Sequence, residues 1–267
     1  MGFVDPLDSS RVPVTTTYLA EVGRVLRSCG MPTPSDFNSP EKTTLIAQAA
    51  VADAAERVWS AHRWEWRIVP RGFLFENKVS VYDLPDDWQE YAAGPVQADT
   101  ESLQTDDPDA IQVVDFATFI RCIPQALFAA ESAEVLKMGL SALSSLNIMQ
   151  GDERYSGRPK YCTIYGSKMA FYPIPNEDVA AEGWSTAMPV MWFYYGAMPK
   201  LEDEDDAIRI PPELLPAVRY FALAMFKQAL EYPDFQYDER RAERLLAEKV
   251  AQARARSATG SGFILEV

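Results

Sequence analysis

The spacing of apolar residues changes period twice along this chain, and that change limits what it can fold into. Helical spacing opens the sequence and returns near its close. Between them the apolar residues alternate in twos. At the opening, Tyr18, Leu19, Val22, Val25, Leu26 and Cys29 recur at gaps of one, three and four. This predicts a helix over 15–29, stopped by Gly30 as the residue after the cap and kept from resuming by Pro32 and Pro34. A second helix is expected over 40–63, capped by Ser39, with Pro40 at its first position. Its stripe is read as Leu45, Ala49, Ala52, Ala55, Trp59 and His62.

The β period follows. Trp64-Glu65-Trp66-Arg67-Ile68 and Val79-Ser80-Val81-Tyr82 alternate, with Phe73-Leu74-Phe75 and a turn at Glu76-Asn77 between them. Residues 97–109 read as a polar loop, and Ile111 to Val114 as a short strand. Over 125–147 the spacing of Leu127, Val135, Leu136, Leu140 and Leu143 suggests helix, against which Gly139 counts. Tyr161 to Tyr165 and Lys168 to Tyr172 are expected to form a hairpin, because the two-residue Gly166-Ser167 link suits a type II′ turn. Pro173 and Pro175 end it, and Val190 to Tyr195 gives a further strand. The run Glu202 to Asp206 reads as a linker. Pro211-Pro212 then starts a helix with Leu215, Val218, Ala222, Met225 and Ala229 on its stripe. Tyr232-Pro233-Asp234 breaks it, and 237–256 forms the last helix, with Leu245, Leu246, Val250 and Ala253 on one side. Residues 257–267 change to Ser-Ala-Thr-Gly-Ser-Gly and then Phe263-Ile264-Leu265, a flexible tether tipped by an apolar plug.

The expected fold class is therefore α+β. Each terminal helical region has an apolar stripe it cannot bury alone, so the two should pack on each other as a bundle. The parts are 1–66 (opening helices), 67–206 (β-rich insertion), 207–256 (closing helices) and 257–267 (extended arm).

Charge narrows the function. The chain has 267 residues and a net charge of -14. Residues 84–153 hold 13 acids against 2 bases, whereas the segments on either side are almost balanced. A surface that grips DNA is basic, so this composition argues against one. It suits a wall past which DNA slides without sticking, and equally a solvated loop region. Asp106, Asp107, Asp109, Asp203 and Asp205 are the candidate channel-facing or solvated acids. Cys29, Cys122 and Cys162 form no CxxC pair, so neither a zinc site nor a disulfide framework is expected. The first residues do not read as a signal peptide or a myristoylation signal, and no apolar run is long enough to span a membrane.

Chemistry is sparse. His62 is the one histidine, so metal and triad motifs lack their second member, and a packed helix-end histidine is the simpler reading. Gly260-Ser261-Gly262 lacks the strand and helix of a phosphate loop. Glu202 to Asp206 offers carboxylates to a hard cation without the spacing of a calcium loop. Asp83, Asp86, Asp87 and Glu90 would have to supply any glycosidase acid pair. Trp64, Trp66, Trp88, Trp184, Trp192, Tyr194 and Tyr195 would have to supply any glycan platform, although large rings more often build cores and interfaces. No cofactor or metal is expected. The apolar plug is open to two readings, docking on its own subunit or on a partner by strand addition or into a groove.

Four landmarks carry a family resemblance: Leu19 through Pro34; the helix exit Arg63-Trp64-Glu65-Trp66; Gly157-Arg158-Pro159-Lys160-Tyr161 through Pro173-Ile174-Pro175; and Asp205-Asp206-Ala207-Ile208-Arg209-Ile210-Pro211 before a helix. Together they resemble the head-to-tail adaptors of tailed bacteriophages, the tail tubular protein A family of short-tailed phages. The resemblance implies a structural, non-enzymatic virion protein of the neck, assembled in the bacterial cytoplasm as a ring of about twelve copies. It implies a portal protein above, a tail or nozzle protein below, and genomic DNA passing through without specific binding. No membrane enters that picture. It further implies a portal-docking arm, here Phe263, Ile264, Leu265 and Val267, and a bundle/β-region junction at Trp59, Trp64 and Trp66. A tail-associated glycan hydrolase or glycan-binding module is the alternative.

Overall fold

The computed structural model describes residues 16–38, 40–97, 111–122, 156–176 and 189–258. They form a mixed α+β protein that divides into two compact units. Of the described residues, one unit holds those from Ile68 to Ala197; the other combines those from Thr16 to Arg67 with those from Met198 to Ala258.

The helical unit contains α1 (Tyr18–Ser28), α2 (Lys42–Ser60), a 3-10 turn (Glu65–Arg67), α4 (Leu215–Ala229) and α5 (Phe235–Ala258). Thr17 caps α1, its hydroxyl accepting from the Ala20 amide at 3.4 Å. The other end closes as the sequence predicts. Gly30 takes φ +73°, the Gly30 amide donates to the Arg27 carbonyl, and the Met31 amide reaches the Leu26 carbonyl. These crossed bonds satisfy carbonyls the helix would leave open. α4 ends in the same crossed pattern, with the Glu231 amide on Gln228 and the Tyr232 amide on Lys227. Here the left-handed position belongs to Glu231, at φ +60°. A Cβ is strained in that conformation, so Glu231→Gly is expected to raise stability by about 0.5–1 kcal/mol. Urea unfolding with an unchanged slope and a higher midpoint would register it.

Residues from both ends of the sequence share one core. Val22, Val25 and Leu26 of α1 meet Ala47, Val51, Ala54 and Val58 of α2, Phe221 and Phe226 of α4, and Ala242 of α5. The stripe of α2 differs from its sequence reading. Thr44, Ala47, Ala50, Val51, Ala54, Ala55, Val58 and Trp59 are buried, whereas Leu45 is 51% exposed and Ala49 is exposed. The error has a physical source. Alanines occupy nearly every turn and mark no face, so the bulky Leu45 misled the phase. The buried face is the small-residue one, which lets neighbouring helices approach closely. Helix α2 also starts at Lys42, leaving Pro40 ahead of it, and Ser39 lies outside the described residues. Likewise α4 starts at Leu215, after a turn at Pro212 to Leu214, with Pro216 in its first turn. Phe221 and Phe226, absent from its predicted stripe, are its most buried rings, while Ala229 is exposed.

Tyr18 packs edge-on against Phe37 and donates its hydroxyl to the Gln48 carbonyl at 2.8 Å. Burial, then the Asp53 and Asp206 charges, push its phenol up to about 12. A folded pKa raised above the ordinary 10 means that this stabilisation is complete below pH 10. It is lost as pH rises from 10 to about 12. Tyr18→Phe should flatten that part of the alkaline fall in melting temperature, at a fixed cost of about 1 kcal/mol for the lost bond.

The β unit holds three small sheets. β1 (Ile68–Leu74), β9 (Pro189–Gly196) and β3 (Trp88–Gln97) form an antiparallel sheet with β9 central. A four-stranded sheet runs β2 (Val81–Asp83), β7 (Lys168–Tyr172), β6 (Tyr161–Tyr165), β4 (Gln112–Val113), with β4 parallel to β6. β5 (Ser156–Gly157) and β8 (Ile174–Pro175) pair in parallel, and α3 spans Phe116–Cys122. The expected hairpin is β6–β7, with Gly166 at φ +60° in its two-residue turn. The expected strand through Trp64 to Ile68 is corrected: Glu65–Arg67 is a 3-10 turn and β1 begins at Ile68. One core joins the first two sheets, with Phe73, Phe75, Phe171, Val190, Trp192 and Tyr194 all buried. Gly94 at φ +94° is required there, because a Cβ would come within 2.8 Å of the Trp192 Cα. Cys162 is fully buried in this core and burial pushes its thiol up; all three cysteines are free. Among the described residues, no helix is long and apolar enough to cross a membrane.

Candidate functional site

A buried polar cluster lies in the helical unit around Glu21, which is 2% exposed. Arg219 of α4 grips it with two bonds, Nε to Oε2 and Nη2 to Oε1, both at 2.9 Å. The Thr16 hydroxyl donates to Oε1 at 2.8 Å, and Arg24 adds an ion pair at 3.2 Å. A planar fork on a carboxylate fixes orientation as well as charge. The pair therefore ties α1 to α4.

The acidic run is not a loose linker. The Tyr18 amide donates to the Asp206 carbonyl, the Leu19 amide to the Glu204 carbonyl, and the Ile208 amide to the Thr16 carbonyl. This backbone lattice covers the open amides at the start of α1. The side chains divide in two. Asp206 Oδ2 accepts from the amides of Glu202 and Asp203, and Glu204 Oε2 accepts from the Phe37 amide. Glu202, Asp203 and Asp205 remain exposed. Composition showed five like charges; it did not show that two of them hold a turn together.

A short groove of about 450 Å³ runs between α1 and α4. Arg24, Arg27 and Arg219 line it beside Val25, Tyr220 and Leu223. Arg27 donates Nε to the Gly23 carbonyl, and among the described residues it has no carboxylate partner.

Trp59, Trp64 and Trp66 all belong to the core of the helical unit or pack against it. Trp64 is 5% exposed and donates its indole N–H to the Val58 carbonyl at 3.0 Å. Trp66 stacks on Trp64 at 6.1 Å and meets Trp59 edge-on at 4.8 Å. Arg67 secures the turn, donating Nη1 to the Trp59 carbonyl at 2.8 Å. His62 lies in the turn after α2, edge-on to Trp64. Desolvation, then Arg254, lowers its pKa, so it is held neutral as a packing group.

Two of the carboxylates weighed for acid catalysis have structural partners. Asp83 pairs with Lys168, its cross-strand neighbour. Asp87 accepts from the Tyr194 hydroxyl at 2.7 Å. Asp86 is exposed and Glu90 half-buried. Of the platform aromatics, Trp64, Trp192 and Tyr194 are buried and Trp66, Trp88 and Tyr195 half-buried, so core packing accounts for most of these rings. Trp184, the acids Asp106, Asp107 and Asp109, and the arm residues Phe263, Ile264, Leu265 and Val267 lie outside the described residues. No three His, Cys, Asp or Glu among the described residues converge as a metal site.

No protein-family model matches the chain, and no curated protein matches it. The constructed features are the guanidinium-lined groove and the hydrogen-bonded acidic turn.

Proposed function

We propose that the protein is a structural adaptor subunit of a tailed-phage neck, a helical bundle bearing a β-rich insertion that joins the portal to the tail or nozzle protein. The observation that carries this reading is the shared core of the chain's two helical ends, with Phe221 and Phe226 of α4 packed among Val22 to Leu26 and Ala47 to Val58. A unit closed by both ends of the sequence holds the intervening β segment at two points, as a connector needs under the load of passing DNA. The net charge of -14 supports the same reading, since a ring of such subunits repels DNA and leaves a path of low adhesion. Its work is mechanical: to seal the portal after packaging and to template the tail. Partners already found for Asp83 and Asp87 weigh against a glycan hydrolase.

The apolar plug within residues 257–267 supplies the portal grip in this reading. Deleting 257–267 should leave the melting temperature unchanged and weaken retention on an immobilised portal ring by more than about tenfold, as loss of an apolar anchor predicts. Undiminished portal affinity of the shortened chain would sink the assignment.

A further inference from the structure

We infer that the groove between α1 and α4 receives the acidic turn Glu202–Asp206 of a second copy of this chain. The inference rests on the ring reading above and names one of its contacts. Three observations carry it.

Charge is the first. Arg24, Arg27 and Arg219 meet in the groove, with Glu21 the buried acid that Arg24 and Arg219 share. Among the described residues the groove therefore carries a net charge of about +2, in a chain of net charge -14. The turn presents three exposed acids, of which Glu202 has the exposed Lys200 at 3.9 Å.

Rigidity is the second. Asp206 and Glu204 spend their side chains on backbone amides, and two amides of α1 fasten the turn from below. The three outward acids are thus presented without the ordering cost a free loop would incur on binding. On the other side, the buried Glu21 holds Arg219 and Arg24 in place.

Placement is the third. The turn covers the start of α1 and the groove borders its second half, roughly 10 Å further along the axis at 1.5 Å per residue. The two patches are fixed to one helix and cannot meet within one chain. They can meet between copies, head to tail, the heterologous contact that closes into a ring.

Sedimentation and native mass spectrometry of the full chain, alone and with a portal ring from the same genome, test this. Arg27→Glu and the pair Asp203→Arg with Asp205→Arg each touch exposed positions and should leave the melting temperature unchanged. Each should weaken assembly by more than about tenfold, and more at low salt than at high. Combining all three substitutions in one chain should restore part of the assembly, because the new arginines of the turn then meet the carboxylate introduced at position 27. Variants that assemble like the parent overturn the contact and leave the ring reading standing. Separate losses without restoration also overturn the pairing. A parent chain that stays monomeric even with the portal overturns both.

Discussion

Replacing Phe221 by alanine is expected to destabilise the protein by about 3–5 kcal/mol, close to the limit that a single core truncation reaches. The ring is 1% exposed on α4, and it belongs to the core that unites helices from both ends of the chain. Three contributions vanish together. The buried apolar surface is lost, and a cavity remains because the neighbours Ala47 to Val58 are small and backbone-anchored, so they fill it poorly. The Arg57 guanidinium, 4.1 Å from the ring centroid, also loses its π partner. Arg57 retains ion pairs to Glu239 and Glu243 of α5, which are exposed and contribute little. Urea denaturation followed by tryptophan fluorescence would measure the effect. A loss below about 1 kcal/mol would mean that the helices do not share this core.

Glu21→Ala should be the second severe substitution, at about 3 kcal/mol, the scale at which breaking a buried charge pair costs stability. The carboxylate is nearly inaccessible, accepts from Arg219 and Thr16 and forms an ion pair with Arg24. Removing it leaves two guanidiniums facing each other across an emptied site. The figure stays below the top of the range because Arg219 is 37% exposed and Arg24 45%, so water takes over part of their solvation. A double-mutant cycle of Glu21→Ala with Arg219→Ala should return a coupling of about 1–2 kcal/mol. Strict additivity would show that the fork contributes nothing.

Local chemistry was legible in the sequence wherever one residue type decides the geometry. Gly30 ending α1, the Gly166-Ser167 turn of the hairpin and the break at Pro233 all follow from backbone rules acting within a few residues. The face of α2 was not legible, because a run of alanines has no contrast to read. No strand was expected over 88–97, and β3 there carries a Gly94-Pro95 step, a pair that favours turns over strands. In the fold, the register irregularity between Ala93 and Val96 against β9 absorbs that step, and the strand's place at a sheet edge tolerates the missing amide. Trp64 and Trp66 alternate like a strand, yet the same spacing on a 3-10 turn sends both rings into one aromatic cluster.

The candidate site was less legible still. Glu21 and Arg219 are 198 residues apart in sequence, and nothing local to either predicts the other. The groove exists only because α1 and α4 lie side by side. The acidic turn was visible as composition, but its split into two inward and three outward carboxylates depends on the amides of Phe37, Glu202 and Asp203.

The central claim is that this chain builds a connector ring. Native mass spectrometry of the purified protein, alone and mixed with a portal ring from the same genome, tests that claim most directly. The account predicts a single stoichiometric complex with the portal, of one fixed copy number, and its mass gives that number. Monomers in both samples, with no association, would contradict the account.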